Sequence, residues 1–447
     1  MGSPAPAGPS RPPFREAVGV WIKVALLSFG GPAGQIAVMH RLVVEERGWV
    51  DERRFLQALN YTMVLPGPEA QQLATYLGWL LHGTRGGLVA GTLFVLPGFL
   101  SILALSVLYA FFQELAPVQA LFYGLKPAVM AVVLAAVVRI GKNALRNHAL
   151  LLLAAGGFIA IFFLEVPFPL VVLGAALAGW AGNRRRPELF SGAESPAGGA
   201  RGPDASVPSL RRALVVCLVW LPLWFGPLVL LVLVFGPGHL FVTQGVFFSQ
   251  MAVVTVGGAY AVLTYVAQRA VETYGWLAPG EMLDGLGMAE TTPGPLIQVV
   301  QFVAFMGAFR QAGELSPLGA AIFSSVLVTW VTFVPCFLWI FLGAPYVERL
   351  GSNRALNAAL TAVTAAVVGV ILNLAVWFGL NALFDHVIEV RGWGFRLLVP
   401  AWETLDLPAL VIAAAAFLAL FRFRAGLAPT LGGCALAGLA YRLVLAP

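Results

Sequence analysis

Two Pro-Gly-Pro triplets interrupt apolar stretches of this chain and are the features best suited to chemistry. They are Pro66-Gly67-Pro68 and Pro293-Gly294-Pro295. Proline ends one helix but fits at the start of the next, so each triplet is expected to separate two helices. The new helix begins with amide groups that lack a helical acceptor and with the positive end of its dipole, a combination that favours an anion.

Each triplet has companions at a fixed spacing. Gln71 and Gln298 follow within the first turn of the new helix and would offer neutral amide donors. Upstream lie two glycine pairs, Gly30-Gly31 and Gly257-Gly258, which permit close backbone approach. A single broken helix is often a packing kink, but a break that recurs with its companions favours a functional site.

The recurrence is an internal duplication. A shift of 227 positions superposes the glycine pairs, the triplets and the glutamines without a gap. Twelve of the forty-two positions from 30 to 71 are identical to their counterparts, more than this composition would give by chance. Paired, interrupted apolar segments in two repeats are the best pointer from sequence to the substrate site of a secondary transporter.

The composition indicates a polytopic α-helical membrane protein. Of 447 residues, 59% are hydrophobic and only 11% are charged, against about 25% charged in soluble domains. Stretches such as Gly87 to Phe112, Ala213 to Phe235 and Leu318 to Ala344 exceed the roughly 20 residues that cross a bilayer. We expect about ten to thirteen membrane segments, and a lipid bilayer rather than nucleic acid as the surrounding partner.

The chain divides into four parts. A Pro-rich tail, expected to be disordered, covers 1–16; a first repeat covers 17–182, a polar linker 183–212, and a second repeat 213–447 with an extra leading helix. If each repeat crosses the membrane an even number of times, that extra helix turns the second repeat upside down. The prediction is an inverted repeat. The arginine-rich linker should be cytoplasmic by the positive-inside rule, although its basic residues could instead bind a partner.

Several segments look too short to span the bilayer. The stretch after Pro68, EAQQLATYLGWLLHG, forms about four turns, or roughly 22 Å, against a hydrocarbon core of about 30 Å. Two shorter helices are expected before it, over 35–46 and 51–64, and the second half repeats this design. Broken backbone inside lipid is costly unless protein or water surrounds it, so these half-helices should meet in the protein interior.

The motif set resembles the chromate ion transporter family. SFGGPAG, a tryptophan after a charged stretch, and LPGPEAQQ carry the resemblance in the first half; TVGG, GW and TTPGPLIQ carry it in the second. The resemblance spans both halves but neither the tail nor the linker. It implies functional roles for these positions: Phe29, Gly30, Gly31, Pro32, Pro66, Gly67, Pro68, Gln71, Gly257, Gly258, Pro293, Gly294, Pro295 and Gln298. Ala259 stands where the first half has Pro32, so the two half-sites are not equivalent.

The family implies a function as well as a site. It implies efflux of chromate from the bacterial cytoplasm across the inner membrane, resistance to chromate, and a secondary process that draws on the proton motive force. The nearest alternatives are a transporter or channel for sulfate or another oxyanion, because chromate and sulfate are both tetrahedral dianions. A homodimer is a further possible partner arrangement.

Charged and hydroxyl residues near the breaks complete the candidate site. Lys23, within the first apolar helix, would bind the anion or gate it, or else extend to the membrane surface. Glu69 and Glu290 are candidates for proton coupling, although Glu69 at a helix start would also serve as a simple cap. Thr291 and Thr292 could donate hydroxyls to an oxyanion. A basic group, Lys126, Arg139, Lys142 and Arg146, would line an exit path or anchor a helix end.

A membrane-embedded enzyme is the remote alternative, and the residues argue against it. The histidines, at 40, 82, 148, 239 and 386, have no metal-ligand spacing, and Cys217, Cys336 and Cys434 lie far apart in apolar spans. No nucleophile with an adjacent base stands out. We therefore expect neither a cofactor nor a metal.

Overall fold

The computed structural model describes residues 12–29, 31–190, 209–256, 258–278, 280–346, 353–392 and 394–445. Gly30, Gly257, the first eleven residues of the predicted tail and positions 191–208 of the predicted linker lie outside the described residues. The linker as predicted is helical at both described ends, because one helix runs through Asn183 and another begins at Leu210.

Within the described residues, eight helices lie before position 191, the last of them inside the predicted linker. They are α1 (Phe14–Leu27), α2 (Gly31–His40, extended by a π-helical turn Arg41–Glu45), α3 (Glu52–Val64), α4 (Glu69–Phe112), α5 (Ala116–Ala144), α6 (His148–Phe162), α7 (Phe168–Arg185) and the short α8 (Pro187–Phe190). Helix α4 is broken at His82 and Gly83, whose backbone angles are not helical. We call its two parts α4a (69–82) and α4b (84–112).

The elements after the linker repeat this order. They are α9 (Leu210–Phe235), α10 (Leu240–Val254), α11 (Ala259–Gln268, extended by a π-helical turn Arg269–Thr273), α12 (Glu281–Thr291), a 3-10 turn (Leu296–Gln298), α13 (Val299–Arg310), α14 (Pro317–Gly343), α15 (Arg354–Leu383), β1 (Val387–Gly392), β2 (Phe395–Pro400), α16 (Leu407–Phe421) and α17 (Leu427–Ala440). Helix α9 is the extra leading helix, and α10 to α17 correspond to α1 to α7.

The prediction of a helical membrane protein with two homologous halves is confirmed. Six helical stretches of the described chain are long and apolar enough to cross a membrane: Glu69–Phe112, Ala116–Ala144, Leu210–Phe235, Pro317–Tyr346, Arg354–Leu383 and Leu427–Val444. Four shorter apolar helices accompany them. The halves are intertwined, because α5 packs against α16 and α17, while its counterpart α15 packs against α6 and α7.

The first half contains two re-entrant helical hairpins, α1–α2 and α3–α4a, that open on one surface. Arg47, just after α2, pairs with Glu16 at the start of α1. The ring of His82, at the end of α4a, lies 2.8 Å from the carbonyl oxygen of Pro12. The starts and ends of both hairpins therefore lie together, on the surface that we call side A.

The second half builds the same pair of hairpins, α10–α11 and α12–α13. Arg310, at the end of α13, binds Glu281, at the start of α12, through two hydrogen bonds of 2.7 and 2.5 Å. Gln311 donates to the carbonyl oxygen of Tyr274, just after α11. These hairpins open on a surface that we call side B.

Helix α4b shows that the two sides are opposite. It begins at the open end of the first pair of hairpins, on side A, which we call their mouth. At 1.5 Å per residue, it extends about 43 Å. At its far end, Tyr109 donates to Asp284 on α12 and Phe111 packs against Phe309 on α13. Because one helix joins the two mouths, the repeat is inverted, as the extra helix predicted.

A β-hairpin on side B is an element that the sequence did not predict. Strands β1 and β2 pair antiparallel, with Val387 opposite Pro400. The amide of Arg396 donates to the carbonyl oxygen of Phe163, in the loop between α6 and α7. Six-residue strands leave a weak signal beside apolar helices of about thirty residues.

The inverted topology predicts opposite labelling of equivalent positions. Glu46 and Thr273 are both exposed and related by the repeat shift. In sealed membrane vesicles, we expect Glu46→Cys and Thr273→Cys to react with an impermeant maleimide from opposite sides, with the parent chain as background. Reaction of both from the same side would contradict an inverted repeat.

Candidate functional site

The tips of the hairpins are bonded across the two halves. The amide of Gly67 donates to the carbonyl oxygen of Thr255 at 2.7 Å, and the amide of Gly294 donates to that of Ser28 at 2.9 Å. These two bonds are equivalent under the repeat shift. Each Pro-Gly-Pro triplet is thus held by the other half: the first triplet by the end of α10, and the second by the end of α1. The four hairpin tips converge inside the protein.

Ser28 and Thr255 are functional candidates that sequence reasoning missed. Their hydroxyls donate back to the carbonyl oxygens of Val24 and Met251, each at 2.6 Å, and so satisfy the last turns of α1 and α10. Both residues are buried. The available signal was a hydroxyl residue at the same repeat position in both halves, two residues before each glycine pair.

The central glycine of each triplet is required by both conformation and space. Gly67 and Gly294 have φ values of 119° and 108°, which side chains rarely adopt. A Cβ at Gly67 would lie 2.8 Å from Nε2 of Gln72 and 3.0 Å from Sγ of Cys336. A Cβ at Gly294 would lie 2.9 Å from Cα of Gly98. Each triplet therefore packs against a long helix of the opposite half.

The predicted glutamines are buried beside the tips, with part of their hydrogen-bonding capacity unused. Nε2 of Gln71 donates to Oγ1 of Thr75 at 3.1 Å, and Nε2 of Gln298 donates to Oε1 of Gln301 at 2.6 Å. The Oε1 atoms of Gln71 and Gln298 are buried and have no partner among the described residues. Because the oxygen and nitrogen of a side-chain amide exchange places when the amide is flipped, the end without a partner could present either an oxygen or an N–H group to a ligand.

Gln35 was also missed, although it joins the tips directly. It is buried, and its Nε2 donates to the carbonyl oxygen of Gly294 at 2.6 Å. Its repeat counterpart is Val262, so this bond exists on one side only. A glutamine without a matching partner gave no repeat signal.

The electrostatics differ between the two helices that lead away from the tips after the triplets, which we call the outgoing helices. Helix α4a and the 3-10 turn at the start of α13 both begin at the tips, and their first amides have no acceptor within the helix. The amide of Val299, the first residue of α13 itself, donates back to the carbonyl oxygen of Leu296. Glu69 occupies the first position of α4a, where its carboxylate offsets the positive end of the dipole. Leu296 stands at the equivalent position, so the start of α13 is the better place for an anion.

The other predicted residues are dispersed around the tips. Lys23 lies on an exposed part of α1, and Pro32 is half-buried at the start of α2. Glu290 is buried and accepts a hydrogen bond from Tyr260. The hydroxyls of Thr291 and Thr292 donate to backbone carbonyls of α12, which leaves their lone pairs rather than their protons free.

Three basic residues at the end of α5 lie toward side A. Arg139 and Lys142 are exposed in the last turns of the helix, and Arg146 is exposed just beyond its end. Arg139 nevertheless acts electrostatically on the buried Glu290 and Tyr260. Helix α5 therefore connects the tips of the second half with side A.

A polar cavity of about 320 Å³ opens on side B, away from the triplets. It lies between α11, the loop after α6 and the β-hairpin, and Thr264, Arg269 and Arg391 are among its lining residues. Beside it, the buried guanidinium of Arg396 bridges three carboxylates. They are Glu165 at 3.1 Å, Glu272 at 2.9 Å and Glu389 at 3.3 Å.

The comparisons with known proteins agree with the fold. The model of the chromate transporter family matches residues 15–180 and 242–439. A chromate transport protein of Pseudomonas aeruginosa is 32% identical over 78% of this chain and 77% of its own length. A chromate transport protein of Cupriavidus metallidurans is 26% identical over 90% of this chain and 92% of its own length. A probable chromate transport protein of Synechococcus elongatus is 28% identical over 88% of this chain and 92% of its own length.

No solved structure matches the chain at a significant level. The relatives named above are all transport proteins and none is an enzyme, as the sequence predicted.

The packing of the tips predicts the effect of adding one methyl group. Gly67→Ala and Gly294→Ala combine a positive φ, worth about 1–3 kcal/mol, with a clash in the protein interior. We expect each to lower the thermal unfolding midpoint of the purified protein in detergent. Gly156→Ala, on α6 with open space around it, is the control and should melt like the wild type. Equal stability of all three variants would refute the tip geometry.

The hairpin cluster predicts a response to acid. The hydrogen bond from Arg391, together with the charge of Arg396, lowers the pKa of Glu389. Its stabilising contribution is therefore complete above the ordinary pKa of about 4.3 and is lost as the pH falls through the lowered value. We expect amide exchange in β1 and β2, corrected for intrinsic rates, to accelerate below about pH 4.3.

Glu389→Gln isolates this effect from the other carboxylates of the cluster. In this variant the acid-dependent acceleration should be smaller than in the wild type. Identical profiles for the two proteins would show that Glu389 does not hold the hairpin.

Proposed function

The chain belongs to the chromate transporter family, and on that premise we propose that it is a secondary transporter that exports chromate from the cytoplasm. Transport proceeds by alternating access, is driven by the proton motive force and confers resistance to chromate. The observation that carries the proposal is the pair of crossed backbone bonds, Gly67 to Thr255 and Gly294 to Ser28. They form a central point about which two inverted halves can exchange their conformations.

The site chemistry suits a tetrahedral oxyanion. The first amides of the 3-10 turn at the start of α13, those of Leu296 and Ile297, have no acidic residue among them and supply donors and a positive dipole. Gln298 and Gln301 add buried amide groups beside them. Lys23 remains a candidate for attracting the anion, and the set Gly30, Gly31, Gly257 and Gly258 for shaping the tips.

The charge distribution favours an orientation with side A in the cytoplasm of a bacterial inner membrane. Side A carries these basic residues: Arg15, Arg41, Arg47, Arg53, Arg54, Arg85, Lys142, Arg146, Arg184, Arg185, Arg186, Arg211, Arg212, Arg354, Arg422 and Arg424. Side B carries a shorter set: Lys126, Arg269, Arg310, Arg391, Arg396 and Arg442. By the positive-inside rule, side A and the linker attached to it face the cytoplasm. Chromate then enters the tips from side A and leaves through side B.

Coupling to protons needs a carboxylate that senses the site. Glu69 is half-buried at the tip and makes no hydrogen bond or ion pair with the described residues. It is placed to take up a proton when an anion approaches the same helix start. Glu290, which accepts a hydrogen bond from Tyr260, is the candidate carboxylate in the second half, although it is not the repeat equivalent of Glu69.

Transport in everted membrane vesicles tests the proposed function. Everted vesicles from cells that express the protein should accumulate radiolabelled chromate when respiration acidifies their interior, and a protonophore should abolish the accumulation. Excess sulfate measures selectivity between the two dianions. No uptake above that of vesicles without the protein would remove the proposal, whereas equal competition by sulfate would point to a general oxyanion transporter.

The glutamines of the tips should be needed for transport itself. Losing a buried hydrogen-bonding group costs about 1–3 kcal/mol, so Gln71→Ala and Gln298→Ala should lower chromate uptake about tenfold or more. Gln119→Ala, on an exposed position of α5, is the matched control and should transport normally. Full activity in both tip variants would move the substrate site elsewhere.

A further inference from the structure

Helix α12 carries carboxylates at three positions where its repeat counterpart, α3, has none. Its carboxylates are Glu281, Asp284 and Glu290, and the repeat shift places Arg54, Gln57 and Met63 at the equivalent positions of α3. Both helices nevertheless form the incoming arm of the same re-entrant hairpin. The hairpin therefore does not need a carboxylate at this position in order to fold.

Asp284 is the most buried of a group of interacting polar side chains. Its side chain is 3% exposed, and Oδ2 accepts a hydrogen bond from the hydroxyl of Tyr109 at 2.8 Å. Nζ of Lys126, on α5, lies 3.5 Å from the same oxygen. The other oxygen, Oδ1, is buried without any partner in the described part of the chain.

The remaining charges near Asp284 belong to the mouth of the hairpin. Glu281, one turn toward side B, is bound by Arg310 at the end of α13. The other elements packed on α12 are α17 and the 3-10 turn, and they contain no charged residue; Cys434 is the titratable residue of α17. Asp284 thus faces one amine, one phenol and the Glu281–Arg310 pair.

The pair has a route to water on side B. The side chain of Lys126 is 32% exposed, while that of Asp284 is enclosed. A proton from solvent can therefore reach the carboxylate on the side of the amine, whereas the phenol of Tyr109 is buried. Glu290 lies six residues further along α12, at the tip, and the charge of Arg139 reaches it from side A.

A buried ion pair is a poor way to stabilise a membrane helix. Removing two charges from water costs several kcal/mol, which their attraction often fails to repay. Ionisable groups inside membrane proteins accordingly mark ion or proton pathways. The unpartnered Oδ1 also offers a position where a proton can be added without breaking a hydrogen bond.

We propose that Asp284, paired with Lys126, is the proton-binding site that couples this transporter to the pH difference across the membrane. The inference rests on the proposed function. When Asp284 accepts a proton from side B, its charge is lost while Lys126 keeps its own, and the attraction between α12 and α5 weakens. The hairpin is then free to move relative to α5, and release of the proton toward side A restores the pair.

Purified full-length protein in liposomes separates coupling from transport. One assay measures exchange of labelled for unlabelled chromate at equal pH on both sides, which needs no net proton movement. The other measures chromate uptake with and without an imposed pH gradient. In Asp284→Asn we expect exchange to continue while the acceleration by the gradient disappears.

Matched variants make the result specific. Asp406→Asn is the control variant. Asp406 also accepts a hydrogen bond from a tyrosine, Tyr123 of α5, and lies on the same side of the protein. This variant should keep the full response to the gradient. Tyr109→Phe removes one hydrogen bond of Asp284 and should shift the pH at which the gradient response is half-maximal, even if Asp284→Asn proves unstable.

Infrared spectroscopy gives a readout that does not depend on chromate. The pH-difference spectrum of the wild type should contain carbonyl bands of protonated carboxylic acids, and one component of these bands should be missing in Asp284→Asn. Unchanged bands, or an unchanged gradient response, would overturn the proposal. No chromate movement by the wild type in either assay would instead overturn the proposed function, and the spectra would still decide whether Asp284 binds a proton.

Discussion

The structure depends on two backbone hydrogen bonds between opposite halves, from Gly67 to Thr255 and from Gly294 to Ser28. Helices that break inside a membrane leave polar backbone groups, each of which costs free energy unless another group pairs with it. In this protein the break of one half supplies the partner for the break of the other. Neither half could bury its broken helices alone, which explains why the two repeats are intertwined and why the breaks occur in pairs.

The sequence was sufficient for the architecture because its main features leave strong patterns. Pro66-Gly67-Pro68 and its copy predicted the half-helices, and the extra apolar segment Ala213 to Phe235 predicted the inversion. The partners of the triplets could not be predicted. Ser28 and Thr255 act through backbone carbonyls, and any residue type supplies a carbonyl, so only contact across the fold reveals them.

The details of the site were also beyond the sequence. Gln35 and Gln72 bond to backbone oxygens of the triplets, and these contacts depend on how the tips pack. The β-hairpin contributes Arg396, whose three carboxylate partners lie far apart along the chain. Long-range pairs of this kind have no periodic pattern, whereas helices do.

The two halves share a scaffold but have diverged in charge. The first half places Glu69 at the start of its outgoing helix, and the second places carboxylates along its incoming helix instead. In the function and coupling proposed above, the uncharged start of α13 would serve the anion and the charged α12 would serve the proton. An inverted duplication supplies the symmetry that alternating access needs, and in the proposed function the proton gradient sets the direction of exchange.

Anomalous X-ray diffraction at the chromium edge, on crystals grown with chromate, would locate the transported anion itself. We expect a chromium peak at the converging tips, within hydrogen-bonding range of the first amides of the 3-10 turn before α13 and of the side chain of Gln298. A peak confined to the cavity on side B, or no ordered chromium at all at saturating chromate, would contradict a binding site at the tips.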